Sequence, residues 1–401
     1  MSRTLVWMTH SFREDSRLTS SLNDECAFVY YSPFYFAGQR ELEIYRACSQ
    51  DNLNAFYSSI NSFDAMLKNK LGVKLYIYRG FKVIEHINML IRQFKFDKVV
   101  IDQPLFSMWH GINVNDIQTR VEFVDSDLID PANTKMTAKS RYTAHLDNRN
   151  VIFNRFSKTI KPFKMHAYMG GDLYPLVNVP SLVDTGLVNH YMKSKIYDYH
   201  LTRDRHDGQT RMSTALHNGV LDPCNTFYDI ETSFGDGSDD GSNSGSPLAA
   251  ILRQQAFREI SIIRARRTGL TLEDEPVKWA KALMHSSAFD NMMAHRNPDG
   301  KVTWDKVKIS DTGDQDLDFL IKQLNETGIM PNRARMYYAS KVFYESPTGL
   351  AALNTIINTF DLLGMDGQSP NNYVQSCSAL GLTYGKVLKM NRDNAFKLLA
   401  Y

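Results

Sequence analysis

Cysteine is scarce in this chain. Cys26, Cys48, Cys224 and Cys377 are the only four in 401 residues. No two stand in a CxxC spacing, so a disulfide framework or a structural zinc site is not expected, and a reducing compartment fits. No metal is expected. Tryptophan is equally rare, with four residues. No uninterrupted apolar stretch reaches membrane-spanning length. The N-terminus, MSRTLVWMTHSFRED, lacks a long apolar segment followed by small residues, so no signal peptide is read and a cytoplasmic or nucleoid-associated location is expected. The glycine-rich fingerprint GxGxxG is also missing, which leaves an ordinary dinucleotide site without support. Net charge is only +2, so global charge does not announce a nucleic-acid binder.

What is present divides the chain. Hydrophobic residues at 43% and charged residues at 22% are ordinary for a globular protein, and the length suits two or three domains. In the first third, TLVWMTH, CAFVYYS, VKLYIYRG, KVVID and VEFVDSD read as strands, and KVIEHINMLIRQF has apolar residues at helical spacing. Strands alternating with helices predict a Rossmann-like, parallel α/β domain over residues 1–131. A long linker is expected over 132–188. Its first part is basic: Lys135 to Lys164 holds eight lysines and arginines against Asp147, a net +7. It reads either as a solvated connector or as a phosphate-attracting segment. MGGDLYPLVNVPSLVDTG then reads as loop. From 189 to 401 the pattern is all-helical, in HYMKSKIYDYHL, LAAILRQQAFREISIIRARR, DEPVKWAKALMHSSAFDNMMAH, DLDFLIKQLNETG, ARMYYASKVFYE and LAALNTIINTFDLLG. One acidic, Gly/Ser-rich interruption, SFGDGSDDGSNSGSP, reads as an exposed loop.

Four clusters carry chemistry. In GQTRMSTALHNG, residues 208 to 219, Thr210, Ser213 and Thr214 supply hydroxyls and Arg211 a fixed charge, a combination suited to an anion. A capped helix with surface polarity explains the same residues. In RQQAFREIS, residues 253 to 261, Gln254 and Arg258 share a helical face with Phe257 beside them, which also fits a salt-bridged surface stripe. GIMPNRARMYYASKVFYE, residues 328 to 345, sets Asn332, Arg333, Arg335 and Met336 before an aromatic-rich helix. DLLGMDGQSPNNYV ends an apolar helix on a polar turn whose Asp366 is a candidate partner for Arg335, because a buried arginine needs one.

The order and spacing of these segments resemble the DNA photolyase/cryptochrome flavoproteins over nearly the whole chain. LVWMTHSFREDSRL is similar to the family's opening LVWFRxDLRxxDNxAL. YDYHLTRDRHDGQTRMSTALHNGVLDP is similar to its FAD-phosphate region, and DTGDQDLDFLIKQLNETGIMPNRARM to xTGxxxxDAxMRQLxxTGxMHNRxRM. Further segments, FREIS, RMYYASKVFYE, MDGQSPNNYV and YGKVLKMN, resemble the class II cyclobutane-dimer photolyases. Class I-like and class II-like features are thus mixed.

The resemblance implies a C-terminal FAD-binding domain. By position, Tyr197, Thr210, Arg211, Met212 and Ser213 would hold the phosphates and ribose, with Arg258 adding charge. Arg335 and Asp366 would form an ion pair beside the isoalloxazine, and Asn371 would lie near its N5. Gln254, Phe257, Asn332, Arg333 and Met336 fall where the family contacts a flipped lesion. The implied activity is that of a deoxyribodipyrimidine photo-lyase, a carbon–carbon lyase acting on UV-damaged DNA through FADH−, with Asn371, Arg335, Asp366 and Gln254 as its catalytic set. A monomer is expected. A second antenna chromophore is compatible with the resemblance, but no residue marks its site.

The chain also departs from the pattern. Gln254 replaces a glutamate, Phe257 a tryptophan, and Pro331 a histidine. The tryptophan relay that photoreduces the flavin is poorly represented, leaving Tyr338, Tyr344, Tyr373 or Tyr384 as substitutes. Rapid thiol-dependent photoreduction surviving Tyr338→Phe would exclude the Tyr338 route. Three other readings stay open. A cryptochrome-type light sensor is favoured by Gln254 but disfavoured by a chain that ends soon after the flavin turn. A (6-4) photolyase is disfavoured by Pro331. A flavin-free nucleic-acid-binding protein would be dismissed by a yellow preparation.

Overall fold

The computed structural model describes residues 2–32, 50–78, 82–107, 112–132, 154–165, 194–205, 208–210, 212–234, 247–367, 369–382, 386–387, 389–390 and 392. Arg211, Tyr384, the loop after residue 234 and most of the expected linker lie outside these residues.

Among the described residues, five parallel strands form the main path of the sheet: β1 (Arg3–Met8), β2 (Glu25–Tyr31), β3 (Tyr76–Tyr78), β4 (Lys98–Asp102) and β5 (Arg120–Val124), in the order β3-β2-β1-β4-β5. The central strands are apolar on both faces because helices cover both. Val6, Met8, Phe28, Tyr30 and Val100 pack with Ile60, Phe63 and Leu67 of one helix. The alternate residues Leu5, Trp7, Ala27, Val29, Val99 and Ile101 pack with Ile87, Leu90 and Ile91 of another. The direction of strand succession reverses between β1 and β4, so their carboxyl ends form the switch point of this sheet.

Among the described residues, three α-helices accompany the sheet: α1 (Arg17–Ser21), α2 (Gln50–Leu71) and α3 (Val83–Phe94). The 22-residue α2 was not expected from the sequence. Its apolar positions, Leu53, Phe56, Ile60, Phe63 and Leu67, keep helical spacing but are diluted by Asn, Asp and Ser. A sixth strand was equally unexpected. β6 (Lys161–Pro162), inside the basic stretch, pairs with Glu25 and Cys26 of β2.

From residue 194 onward the described residues are mainly helical: α4 (Tyr199–Thr202), α5 (Met212–His217), α6 (Pro223–Phe234), α7 (Pro247–Thr268), α8 (Pro276–Leu283), α9 (Ser286–Ala294), α10 (Trp304–Val307), α11 (Gln315–Thr327), α12 (Asn332–Glu345), α13 (Gly349–Leu363) and α14 (Pro370–Cys377). The segment DEPVKWAKALMHSSAFDNMMAH, read as one helix, is two. Met284 (φ −85°, ψ 153°) and His285 (φ −62°, ψ 145°) leave the helical region between α8 and α9. The core of this part gathers Trp279, Tyr338, Leu353, Ile356 and Tyr373, and takes in Leu105, Phe106 and Leu128 from the sheet side. No helix among the described residues is long and apolar enough to cross a membrane.

Candidate functional site

A cleft partly open to solvent lies among α4, α5, α7, the α11–α12 junction and α14. Its lining includes Thr210, Met212 and Ser213 on one side, Gln254, Gln255 and Arg258 on a second, Met330, Asn332 and Arg335 on a third, and Asp366, Ser369, Asn371 and Gln375 on the last.

Helix termini bring these groups together. α11 stops at Gly328, whose left-handed backbone (φ 66°, ψ 7°) returns its N–H to the Leu324 carbonyl at 2.7 Å. The Gly328 carbonyl then accepts the N–H of Met365 at 2.9 Å, which draws the 364–367 turn onto the cleft. A Cβ at Gly328 would sit 2.1 Å from Met365 Cγ. Gly328→Ala is therefore expected to lose about 1–3 kcal/mol, from strained backbone and displaced Met365, read as a lower urea midpoint. An unchanged midpoint would show that the turn does not depend on this approach.

α12 begins after Pro331, so Arg335 emerges in its first turn. Arg335 Nε donates to the Met330 carbonyl (2.8 Å), Nη1 to Asn372 Oδ1 (3.1 Å) and Nη2 to Asp366 Oδ1 (2.9 Å). Its guanidinium also lies 5.3 Å from the Phe360 ring centre. Asn372 Nδ2 donates to the Asp366 carbonyl (3.1 Å) and so holds the turn. Asp366 is buried. Ser369 caps α14, accepting the Asn371 N–H at 3.3 Å, and Ser261 Oγ donates to Asn371 Oδ1 at 3.1 Å. The amide of Asn371 is thus oriented from α7.

Arg258 does more than line the cleft. Its Nη2 meets Asp127 Oδ1 at 3.0 Å and the Leu216 carbonyl at 3.3 Å, while Nη1 meets the Asp127 carbonyl at 3.1 Å. Asp127, fully buried beyond the end of β5, also pairs with His10 Nε2 and with Arg13 Nη2 (3.4 Å). His10 is presented by a loop nested on Asp102, whose Oδ2 accepts the N–H groups of Thr9, His10 and Ser11 at 3.2, 3.0 and 2.8 Å. Burial opposes the charge on Asp127, yet His10, Arg13 and Arg258 hold its carboxyl well below the usual range. Burial pushes nearby His217 down to about 4. Neither Arg258 nor its neighbour Glu259 belongs to a surface stripe; Glu259 Oε1 accepts the Ile129 N–H at 2.9 Å from a fully buried position.

Other candidates are placed less uniformly. Tyr197 is 61% exposed and is not part of the cleft lining; Tyr199, two residues on, lines it instead. The resemblance implied Tyr197 for this place; Tyr199 is the first residue of α4. Phe257 (50% exposed) and Met336 do not line the cleft. Arg333 Nε is held by Asp204 at 2.8 Å. Tyr338 is fully buried, bonded to Thr359 Oγ1 at 2.7 Å. Tyr344 sits at the far end of α12 against Phe343 and His295. Tyr373, also fully buried, packs its ring 4.8 Å from that of Trp279. The sequence reading passed over Tyr199, Arg203, Gln255 and Gln375 in the cleft. It also passed over His10 and Asp127, for which no local pattern exists.

No family model and no curated protein sequence matches this chain. Among solved structures, a bacterial class III photolyase from Agrobacterium tumefaciens superposes with a TM-score of 0.71 at 14% identity, over 99% of this chain and 84% of that one. The fold is therefore the photolyase fold: a parallel α/β sheet followed by a helical body.

Proposed function

We propose that this chain is a light-driven DNA-repair flavoenzyme that splits cyclobutane pyrimidine dimers. The observation that carries the reading is the buried Arg335–Asp366 pair, 2.9 Å apart, at one side of a cleft whose opposite side offers the hydroxyls of Thr210 and Ser213. That donor set fits FAD. Hydroxyls and Arg258 suit a diphosphate, while a paired guanidinium, a carboxylate and the Asn371 amide suit a ring edged with N–H and C=O groups. On this reading residues 189–401 form the FAD-binding domain, 1–131 the α/β domain and 132–188 the linker.

Reduced flavin, when bound and excited by blue or near-UV light, supplies the electron that splits the dimer. The chain's residues do the rest. Arg335 would offer a positive charge to the ring, and Asp366, 2.9 Å away, fixes that charge in place. Ser261 orients Asn371. Gln254 gives a flipped dimer one donor and one acceptor without charge, Asn332 lies across the cleft, and Phe257 and Met336 offer apolar contact. Arg333, anchored on Asp204, meets a phosphate. Of the three candidate electron carriers among the described residues, Tyr373 is best placed because its ring adjoins Trp279. Tyr373→Phe should slow light-driven, thiol-dependent bleaching of the visible flavin band several-fold, while Tyr344→Phe leaves it unchanged; the reverse ranking would reject Tyr373.

The decisive test is repair. The purified chain should be yellow, and its reduced form under blue light should restore thymine absorbance in a dimer-containing oligonucleotide. A yellow protein without repair would favour a second reading, a cryptochrome-type light sensor, for which the uncharged Gln254 in the cleft is the specific support. A colourless protein would defeat both.

A further inference from the structure

Ser261 meets two oxygens with one hydrogen. Its Oγ lies 2.9 Å from the Phe257 carbonyl, one turn back on α7, and 3.1 Å from Asn371 Oδ1 on α14. A hydroxyl has one donor hydrogen and two accepting lone pairs. While that hydrogen serves Asn371, the Phe257 contact has none. The two ends of an amide have nearly the same shape, so hydrogen-bond count decides which way it points. With the amide turned end for end, Nδ2 donates to Ser261 Oγ and the hydroxyl hydrogen goes to Phe257. Both contacts are then hydrogen bonds. Ser261 is 2% exposed, so water does not make up the difference. Among the described residues no other side chain bonds the Asn371 amide, and Asn371 lines the cleft.

We propose that Ser261 is a positioning residue that favours the Asn371 oxygen toward the cleft and still permits the nitrogen there. The first orientation gains one hydrogen bond over the second, about fivefold in an equilibrium. The ligand class this suits is a heterocycle whose edge accepts a hydrogen bond in one state and donates one in another. A flavin is such a ring: an edge nitrogen that accepts when oxidised carries N–H once two electrons and a proton have been added. The electrons come from an external reductant and the proton from solvent; Ser261 and Asn371 lose none. The amide nitrogen serves the oxidised edge and the amide oxygen the reduced one, so Ser261 tilts the site toward reduced flavin. The assignment rests on the flavin part of the preceding reading and adds the group that sets the direction of Asn371.

The test is the two-electron midpoint potential of the full chain, from anaerobic dithionite titration of its visible absorbance. Ser261→Ala removes the bias and should lower the potential by about 20 mV, the equivalent of fivefold for two electrons. Ser261→Thr keeps the hydroxyl and should hold the parent value. In an Asn371→Ala background, Ser261→Ala should leave the potential unchanged, since Ser261 acts only through that amide. An unchanged or raised potential in Ser261→Ala would overturn the assignment, and so would a shift that persists without Asn371. Urea midpoints separate this assignment from the preceding one, because they need no flavin. Losses in Ser261→Ala and Asn371→Ala should be less than additive in the double variant. In a colourless protein, such coupling upholds the hold of Ser261 on Asn371 and removes the flavin; additive losses remove both. A yellow protein with an unchanged potential keeps the flavin and removes the role of Ser261.

Discussion

Asp366→Ala should lower stability by about 3–5 kcal/mol, because it strands the guanidinium of Arg335 without its carboxylate. The side chain of Arg335 is only 13% exposed, and its remaining partners, the Met330 carbonyl and Asn372 Oδ1, are both neutral. The loss should show as a lower urea midpoint with an unchanged slope, the mark of a change in stability and not in compactness. Asp366→Asn keeps an oxygen for Nη2 and should lose less. On the proposed function both variants should also purify with little or no flavin. A midpoint for Asp366→Ala within about 0.5 kcal/mol of the parent would mean that the pair is not a buried strut.

The second large effect is an acid profile with two limbs. His217 is held neutral by burial, with its folded pKa lowered to about 4 from an ordinary 6.5. The unfolded chain takes up that proton first, so this contribution is complete above pH 6.5 and is lost as pH falls to about 4. Asp127 titrates lower. Its folded carboxyl lies well below its ordinary value, so its contribution is complete above about pH 4 and disappears on further acidification. Burial raises the neighbouring Asp222, which acts in the opposite sense and is common to the variants compared. Asp127→Asn should cost about 3–5 kcal/mol at neutral pH, since Arg13 and Arg258 lose a shared counter-ion, and it should flatten the lower limb. His217→Gln should flatten the upper one. Urea midpoints between pH 3 and 8 test both; an Asp127→Asn profile parallel to the parent's below pH 4 would contradict the network.

These two sites differ in how far a sequence can show them. Arg335 and Asp366 sit in segments whose glycines, prolines and amides are unusual enough to be matched as motifs, and the partner of a buried arginine can be sought nearby. Asp127 meets His10 and Arg258 across separations of 117 and 131 residues. In a linear reading each of the three is an ordinary charge. Only the sheet, by bringing the ends of β1 and β5 against α7, makes them one cluster. Likewise, β1 to β5 were legible because runs such as LVWM and KVVID are apolar on both faces, whereas the two-residue β6 has no such run. α2 escaped notice because its apolar stripe is interleaved with Asn and Ser, residues that favour turns. The break between α8 and α9 was hidden because apolar spacing continues across Met284 and His285. Which of Tyr197 and Tyr199 reaches the cleft lining depends on where α4 starts, a boundary that spacing does not fix.

β3 meets only Val29–Tyr31 of β2, and Lys161–Pro162 occupies the same side of that strand at Glu25 and Cys26. A flank that would otherwise offer unpaired amides to a second molecule is thus closed by the chain itself, with a lysine and a proline, two residues that discourage strand addition. The closure joins positions 136 apart. It must therefore follow much of the chain's collapse, and until it forms the outer strand is open to self-association. Refolding yield should accordingly fall with protein concentration more steeply when Pro162 and Lys161 are both replaced by threonine.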